Sequence, residues 1–148
     1  MRAVLTRVKY ASVTIDGETV GKIGPGFLIL LGVGPDDTEE CARVLAEKAL
    51  GLRIFEDENG KLNLSVLDVK GNVMVVSNFT LYADTRKGRR PSFDKSARPE
   101  ISKPLYDFTV KKFSDIFENL VTGEFGAYMQ ISLENDGPVT LIVEKENE

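Results

Sequence analysis

Apolar, β-branched runs bounded by turn signals dominate the first third of the chain. Ala3 to Val8 and Ser12 to Ile15 read as strands, and Asp16-Gly17 reads as a type I′ hairpin turn into a strand from Thr19 to Ile23. Gly24-Pro25-Gly26 is a second turn. Phe27 to Val33 is continuously apolar, which predicts a central strand buried on both faces. Gly34-Pro35-Asp36 breaks it. Asp37 is the expected helix cap, and Glu40, three residues on, completes a capping-box-like pattern. The helix should run from about Thr38 to Leu50, with Cys41, Val44, Leu45 and Ala49 as its inner stripe and Leu52 continuing the core beyond it.

Arg53 to Phe55 reads as a short strand before the Asp57-Glu58-Asn59-Gly60 turn, and Asn72 to Phe79 as a second buried strand. Leu105, Phe108, Phe113, Ile116, Phe117 and Leu120 recur at helical spacing, which predicts a long amphipathic helix over Ser102 to Val121, ended by Gly123. These aromatics are read as core. Two strands, Ala127 to Leu133 and Val139 to Val143, should close the chain around an Asn135–Pro138 turn. There are no repeats. The pattern predicts one α/β or α+β domain, residues 1–148, with a mixed sheet and two main helices.

Composition narrows what chemistry is available. The chain has no His and one Cys, so there is no disulfide framework and no Cys-based metal site is expected. Cys41 lacks a His to activate its thiol and belongs with the core stripe. The N-terminus turns charged too soon for a signal peptide, and Phe27–Val33 is too short to cross a bilayer. A cytoplasmic protein is expected.

The net charge is −4, yet Asp84 to Arg98 holds Arg86, Lys87, Arg89, Arg90, Lys95 and Arg98 against Asp84 and Asp94. That segment is +4 and the remainder −8. Separated charge of this kind focuses anions on one place, and Arg binds phosphate bidentately. A merely solvated loop is the competing reading.

Two segments stand out as candidate chemistry. Ser77-Asn78-Phe79-Thr80-Leu81 and Asn135-Asp136-Gly137-Pro138-Val139-Thr140 each lie at or just past the end of an apolar run. Both offer small polar groups and backbone in place of acid-base side chains. A strand ending in Ser-Asn-Phe-Thr presents successive N–H groups and two hydroxyls, the parts of an oxyanion hole for acyl transfer. The alternative is a strand end whose hydroxyls satisfy local backbone. Gly137-Pro138 reads either as a plain turn or as a rigid wall of main-chain carbonyls, since Pro after Gly is able to be cis.

With these segments the chain resembles the D-aminoacyl-tRNA deacylases, once called D-tyrosyl-tRNA deacylases. The resemblance covers the whole chain: the Met-Arg-Ala-Val start, Phe27–Gly34, Ser77–Ala83, Arg86–Pro91 and Asn135–Leu141. The family motifs are Ser-Gln-Phe-Thr-Leu and Asn-x-Gly-Pro-(Val/Met)-Thr, and their order and separation here make the match specific. It implies a barrel-like β/β/α arrangement and a homodimer that hydrolyses the ester of D-aminoacyl-tRNA and of glycine mischarged on tRNA. By the same analogy Gly137-Pro138 is cis, enters the partner subunit's pocket, captures the α-amino group and excludes L-side chains. Arg7 would hold that turn. Ser77, Asn78, Phe79 and Thr80 would form the catalytic lip, with the Phe79 and Thr80 amides as oxyanion donors, and Met129 would line the pocket. Arg86, Lys87, Arg89 and Arg90 would meet the tRNA. The implied partner is aminoacyl-tRNA; the residues offer no ligand set for a metal, and no cofactor, DNA or membrane partner is expected. The departure is Asn78 where Gln is usual, which removes one methylene. Two other readings stay open: Thr80 as a covalent nucleophile, and a non-catalytic tRNA-binding module.

Overall fold

The computed structural model describes residues 1–147. Its backbone is one long strand, β1 (Arg2–Ile15), flanked on both sides. β1 takes in both of the short strands expected at the N-terminus. It pairs antiparallel with β2 (Glu18–Ile23) through its second half and with β3 (Gly26–Gly32) through its first. β6 (Asn72–Ser77) lies parallel to β3, and β7 (Val121–Thr122) lies parallel to β6. β2 packs back against β6 and β7, so the sheet almost closes into a barrel. A separate two-stranded ribbon, β4 (Phe55–Glu56) with β5 (Leu62–Leu64), stands where a strand over Arg53–Phe55 was expected.

The continuous apolar run of β3 is explained by two cores. Phe27, Ile29 and Leu31 face a helix layer, while Leu28 and Leu30 face the barrel interior. In β6, Val73 and Val75 join the first core and Met74 and Val76 the second. β1 serves both by a change of phase. Ala3 and Leu5 face the helices, but Val8, Ala11 and Val13 face the barrel interior. The phase changes at Lys9, an extra residue between the pairs Val8–Asn135 and Tyr10–Glu134. One inserted residue exchanges the faces of a strand.

The helix layer is α1 (Glu39–Gly51) packed on α2 (Pro99–Ser114). α1 starts one residue later than expected because Thr38 is the cap, its hydroxyl accepting from the Cys41 N–H. Asp37 instead accepts from the Gly34 N–H and pairs with the Met1 amine. Glu40 binds Arg43 and does not close a capping box. Cys41, Leu45 and Ala49 are buried as expected, together with Ala42, Ala46 and Leu50, whereas Val44 is only half-buried.

α2 begins and ends earlier than its apolar spacing predicts. Pro99 opens it, and Asp115 caps its end. Ile116 lies in the turn beyond and is exposed. Val121 and Thr122 are β-branched and pair with Met74 and Val75, so this stretch leaves the helix for the sheet. Gly123 therefore follows a strand and does not end a helix.

The last element also differs from expectation. In place of a hairpin there is one strand, β8 (Gln130–Glu144), paired with β1 along almost its whole length. Asn135–Pro138 is a bulge within it. No helix among the described residues is long and apolar enough to cross a membrane.

Candidate active site

β6 stops at Ser77 rather than Phe79. The Asn78 N–H donates to Leu31 O at 2.8 Å, still following β3, and a 3₁₀ turn then runs from Phe79 to Tyr82. This turn is the lip of the site. Gly32 lets it approach: a Cβ there would lie 3.1 Å from Asn78 O and from Leu81 Cβ. Arg2, which no sequence motif marks, ties down the far end. Its Nη1 donates to Leu81 O at 2.6 Å, its Nε to Glu144 Oε1 at 2.6 Å, and its guanidinium lies 4.8 Å from the Tyr82 ring centre. Burial pushes the Tyr82 phenol well above its ordinary range, with the Asp37 charge adding to it and Arg2 opposing it.

Next to the lip is a cavity of about 700 Å³. Ser77, Asn78, Phe79 and Thr80 form one wall and Met129 part of another, so five of the expected site residues come together. Sequence reading missed other lining residues, notably Tyr106, Phe93, Phe125 and Tyr128, which had no motif to mark them. Phe79 is 58% exposed and meets Phe93 edge-on, with ring centres 5.2 Å apart. Tyr106 reaches from α2 to Val75 O at 3.2 Å, and burial pushes its phenol up to about 12. The Ser96 hydroxyl is buried in this wall without a hydrogen-bond partner, alone among buried side-chain polar atoms of the described residues.

The polar detail of the lip is set by Asn78. Its Oδ1 accepts from the Thr80 N–H at 3.2 Å and from the Thr80 hydroxyl. The Thr80 amide is thus already engaged, whereas the Phe79 N–H has no partner among the described residues. The acceptor of the Thr80 hydroxyl is a carboxamide oxygen, which is no general base.

The second motif is explained residue by residue as a bulge. Thr6 pairs with Thr140 and Val8 with Asn135, so four residues, Asp136 to Val139, stand opposite Arg7 alone. Asn135 pins the excursion from inside: its Oδ1 accepts from the Val139 N–H at 3.2 Å and its Nδ2 donates to Thr140 Oγ1 at 2.9 Å. Arg7 pins it from β1. Its side chain is 6% exposed, with Nε donating to Asp136 O at 3.0 Å and Nη1 to Ile54 O at 2.8 Å. Glu56 and the Asp136 carboxylate lie further off, at 3.7 and 3.6 Å. Gly137 has φ +135°, and a Cβ there would sit 2.9 Å from the Val139 nitrogen. The Gly137–Pro138 peptide is cis, and both residues are exposed. Neither of them, nor Arg7, is among the residues lining the cavity of their own chain.

The basic segment folds as an exposed loop closed by an Asp84–Ser92 bridge. Asp84 accepts from Arg86 at 2.7 Å and pairs with Lys95 at 3.5 Å. The Arg86 side-chain hydrogen bonds, above all, hold the Asp84 carboxyl well below the usual carboxylate range. Lys87, Arg89 and Arg90 form no ion pair among the described residues. Cys41 is a buried core residue and does not line the cavity.

Comparison with known proteins bears on this arrangement. The family model described as D-Tyr-tRNA(Tyr) deacylase matches residues 4–144. A D-aminoacyl-tRNA deacylase of Thermosipho africanus is 58% identical over 144 residues, covering 97% of each chain. One from Bacillus cytotoxicus is 56% identical over 144 residues, 97% of this chain and 99% of the relative. Among solved structures, one titled c-Myc DNA Unwinding Element Binding Protein has a TM-score of 0.94 at 39% identity, covering 99% of this chain and 100% of the other. A probable eukaryotic D-amino acid tRNA deacylase has a TM-score of 0.82 at 17% identity, over 97% of this chain and 98% of the other, which is a likeness of fold.

Proposed function

The chain belongs to the D-Tyr-tRNA(Tyr) deacylase family, and from that membership we propose that it hydrolyses the ester of D-aminoacyl-tRNA, releasing the free D-amino acid and tRNA. The observation that carries this reading is the cavity with the lip Ser77 to Thr80 as one wall, a lip that holds backbone, hydroxyl and amide groups but no carboxylate, His or Cys. An aminoacyl ester is already activated and brings a ribose 2′-OH with it. Holding the ester still and stabilising the developing oxyanion then suffices. One well-placed donor is worth about 3–4 kcal/mol, and fixed geometry contributes several more. The Phe79 N–H is the free donor of the lip.

Selection against L-residues is assigned to Gly137 and Pro138. They are exposed on a bulge braced by Arg7 and Asn135, and they lie off the cavity of their own chain. A homodimer in which this bulge enters the partner's cavity accounts for all three facts. There the main-chain carbonyls would receive the α-ammonium group, and Met129 would line the same pocket. Glycine lacks the side chain that distinguishes the two hands, so glycyl-tRNA belongs among the substrates. The exposed Arg86, Lys87, Arg89 and Arg90 would meet phosphates of the tRNA. The place of action is the cytoplasm, where aminoacyl-tRNA is used.

Thr80 as a nucleophile is disfavoured, because its hydroxyl proton points to an amide oxygen and no base is at hand. A non-catalytic RNA-binding module draws on the exposed basic loop alone. The test is incubation with D- and L-tyrosyl-tRNA. Release of the D-amino acid far faster than the L form is expected. Binding of tRNA without release of either would leave only the module.

A further inference from the structure

The orientation of the Asn78 carboxamide follows from chemistry. A backbone N–H donates and never accepts, so the Asn78 atom 3.2 Å from the Thr80 nitrogen has to be the oxygen. That same oxygen lies against Thr80 Oγ1, and two oxygens in contact need a proton between them. A carboxamide oxygen has none. The Thr80 hydroxyl must therefore donate to Asn78, which leaves Thr80 Oγ1 with lone pairs only for whatever enters the cavity. The ring closed from Oδ1 of residue 78 to the N–H of residue 80 is that of an Asx turn, and a side chain longer by one methylene does not close it.

We propose that Asn78 is a positioning residue that acts through Thr80: it makes the Thr80 hydroxyl a hydrogen-bond acceptor facing the substrate and leaves the Phe79 N–H as the main-chain donor of the lip. This rests on the deacylase reading and deepens it. The Phe79 N–H beside Thr80 Oγ1 sets a main-chain donor next to a hydroxyl acceptor, a pair that matches an aminoacyl ester. The donor meets the carbonyl oxygen that becomes an oxyanion, and the acceptor takes an O–H or N–H proton on the same substrate. Two substrate groups supply such a proton, the ribose 2′-OH and the α-ammonium group, and they are separable by experiment.

The test combines amide hydrogen exchange with a double-mutant cycle. In the wild type the Thr80 amide should be protected and the Phe79 amide should exchange freely; in Asn78→Ala the Thr80 amide should lose its protection. A Thr80 amide unprotected in the wild type would overturn the proposal, whatever the activity. In steady-state kinetics on D-tyrosyl-tRNA, Asn78→Ala and the near-isosteric Thr80→Val should each lower kcat about tenfold, one hydrogen bond's worth, with KM little changed. The double variant should be no worse than Asn78→Ala, because the two act as one unit. Asn78→Asp keeps an acceptor oxygen in place of Oδ1 and should keep the Thr80 amide protected. Multiplicative losses in the double variant, or wild-type kcat in a folded Asn78→Ala, would refute it. With tRNA ending in 2′-deoxyadenosine, the penalty of Thr80→Val should vanish if the 2′-OH is the donor and persist if the ammonium group is. A protected Thr80 amide in a wild type that hydrolyses no aminoacyl-tRNA would sink the deacylase reading, and the role assigned to Asn78 with it.

Discussion

Arg7→Ala is the substitution for which the structure gives the most definite cost. Arg7 donates charged hydrogen bonds to Asp136 O at 3.0 Å and Ile54 O at 2.8 Å from a side chain only 6% exposed. Each such bond contributes about 1.5–3 kcal/mol. The ion pairs add little, since Glu56 and Asp136 are 57% and 41% exposed and lie beyond 3.5 Å. Removing the side chain also strands a buried carbonyl at Ile54 and empties packed volume. The expected loss is about 3–5 kcal/mol of global stability, a large share of the usual total for one domain. Arg7→Lys keeps the charge but not the planar fork, so it should lose about half as much. The chain has no Trp, so urea unfolding is best followed by far-UV circular dichroism. Hydrogen exchange at Val139, whose N–H is held by Asn135 inside the bulge, reads the local effect separately. In the folded fraction, D-substrate turnover should fall further than stability alone explains. An Arg7→Ala protein with a wild-type urea midpoint and an unchanged Val139 amide would refute this account of how the bulge is held.

Other outcomes follow from single features. Ser96→Ala removes a buried hydroxyl with no partner and should raise stability by about 1 kcal/mol, a few degrees in Tm; a lower Tm would mean the hydroxyl has a partner after all. Tyr106 has a phenol pKa raised from 10 to about 12, so the folded state holds its proton longer than the unfolded one. Stability from this group is complete below pH 10 and is lost as pH rises from 10 to 12, and a Tyr106→Phe protein should lack that alkaline loss in denaturation scans. Arg89→Ala with Arg90→Ala should raise KM for aminoacyl-tRNA and flatten its dependence on salt, by nearly one unit of log–log slope for each phosphate no longer neutralised. An unchanged slope would mark the loop as merely solvated.

Much of this architecture is legible in the residues, and what is not has identifiable causes. The unbroken apolar run of β3 announces burial on both faces, and the helix layer uses the stripe that spacing predicts, Cys41, Leu45 and Ala49 included. The first motif coincides with one wall of the cavity, and the second with the bulge that stands opposite Arg7. At the end of the second helix and in the last strand, sequence and structure part because distant residues pair. Ser102–Val121 has helical spacing, yet Val121 and Thr122 are taken by β6. Asn135–Pro138 has turn composition, yet β1 pairs on both sides of it and makes it a bulge. The replacement of the usual Gln by Asn78 is visible in the sequence, but its local partner, Thr80, two residues on, is not. Arg2 and Tyr106 serve the site from remote elements, and nothing local in the sequence distinguishes them from other Arg and Tyr residues.

The most direct test of the central claim is the ratio of kcat/KM for D-tyrosyl-tRNA over L-tyrosyl-tRNA, measured for the wild type and for Pro138→Ala. Pro138 is exposed, so its loss should leave the fold intact by circular dichroism. The expected ratio is far above one for the wild type, and the variant should show a marked fall in D-substrate turnover with the ratio moving toward one. Equal hydrolysis of both substrates by the wild type, or a folded variant with unchanged kinetics and an unchanged ratio, would contradict it.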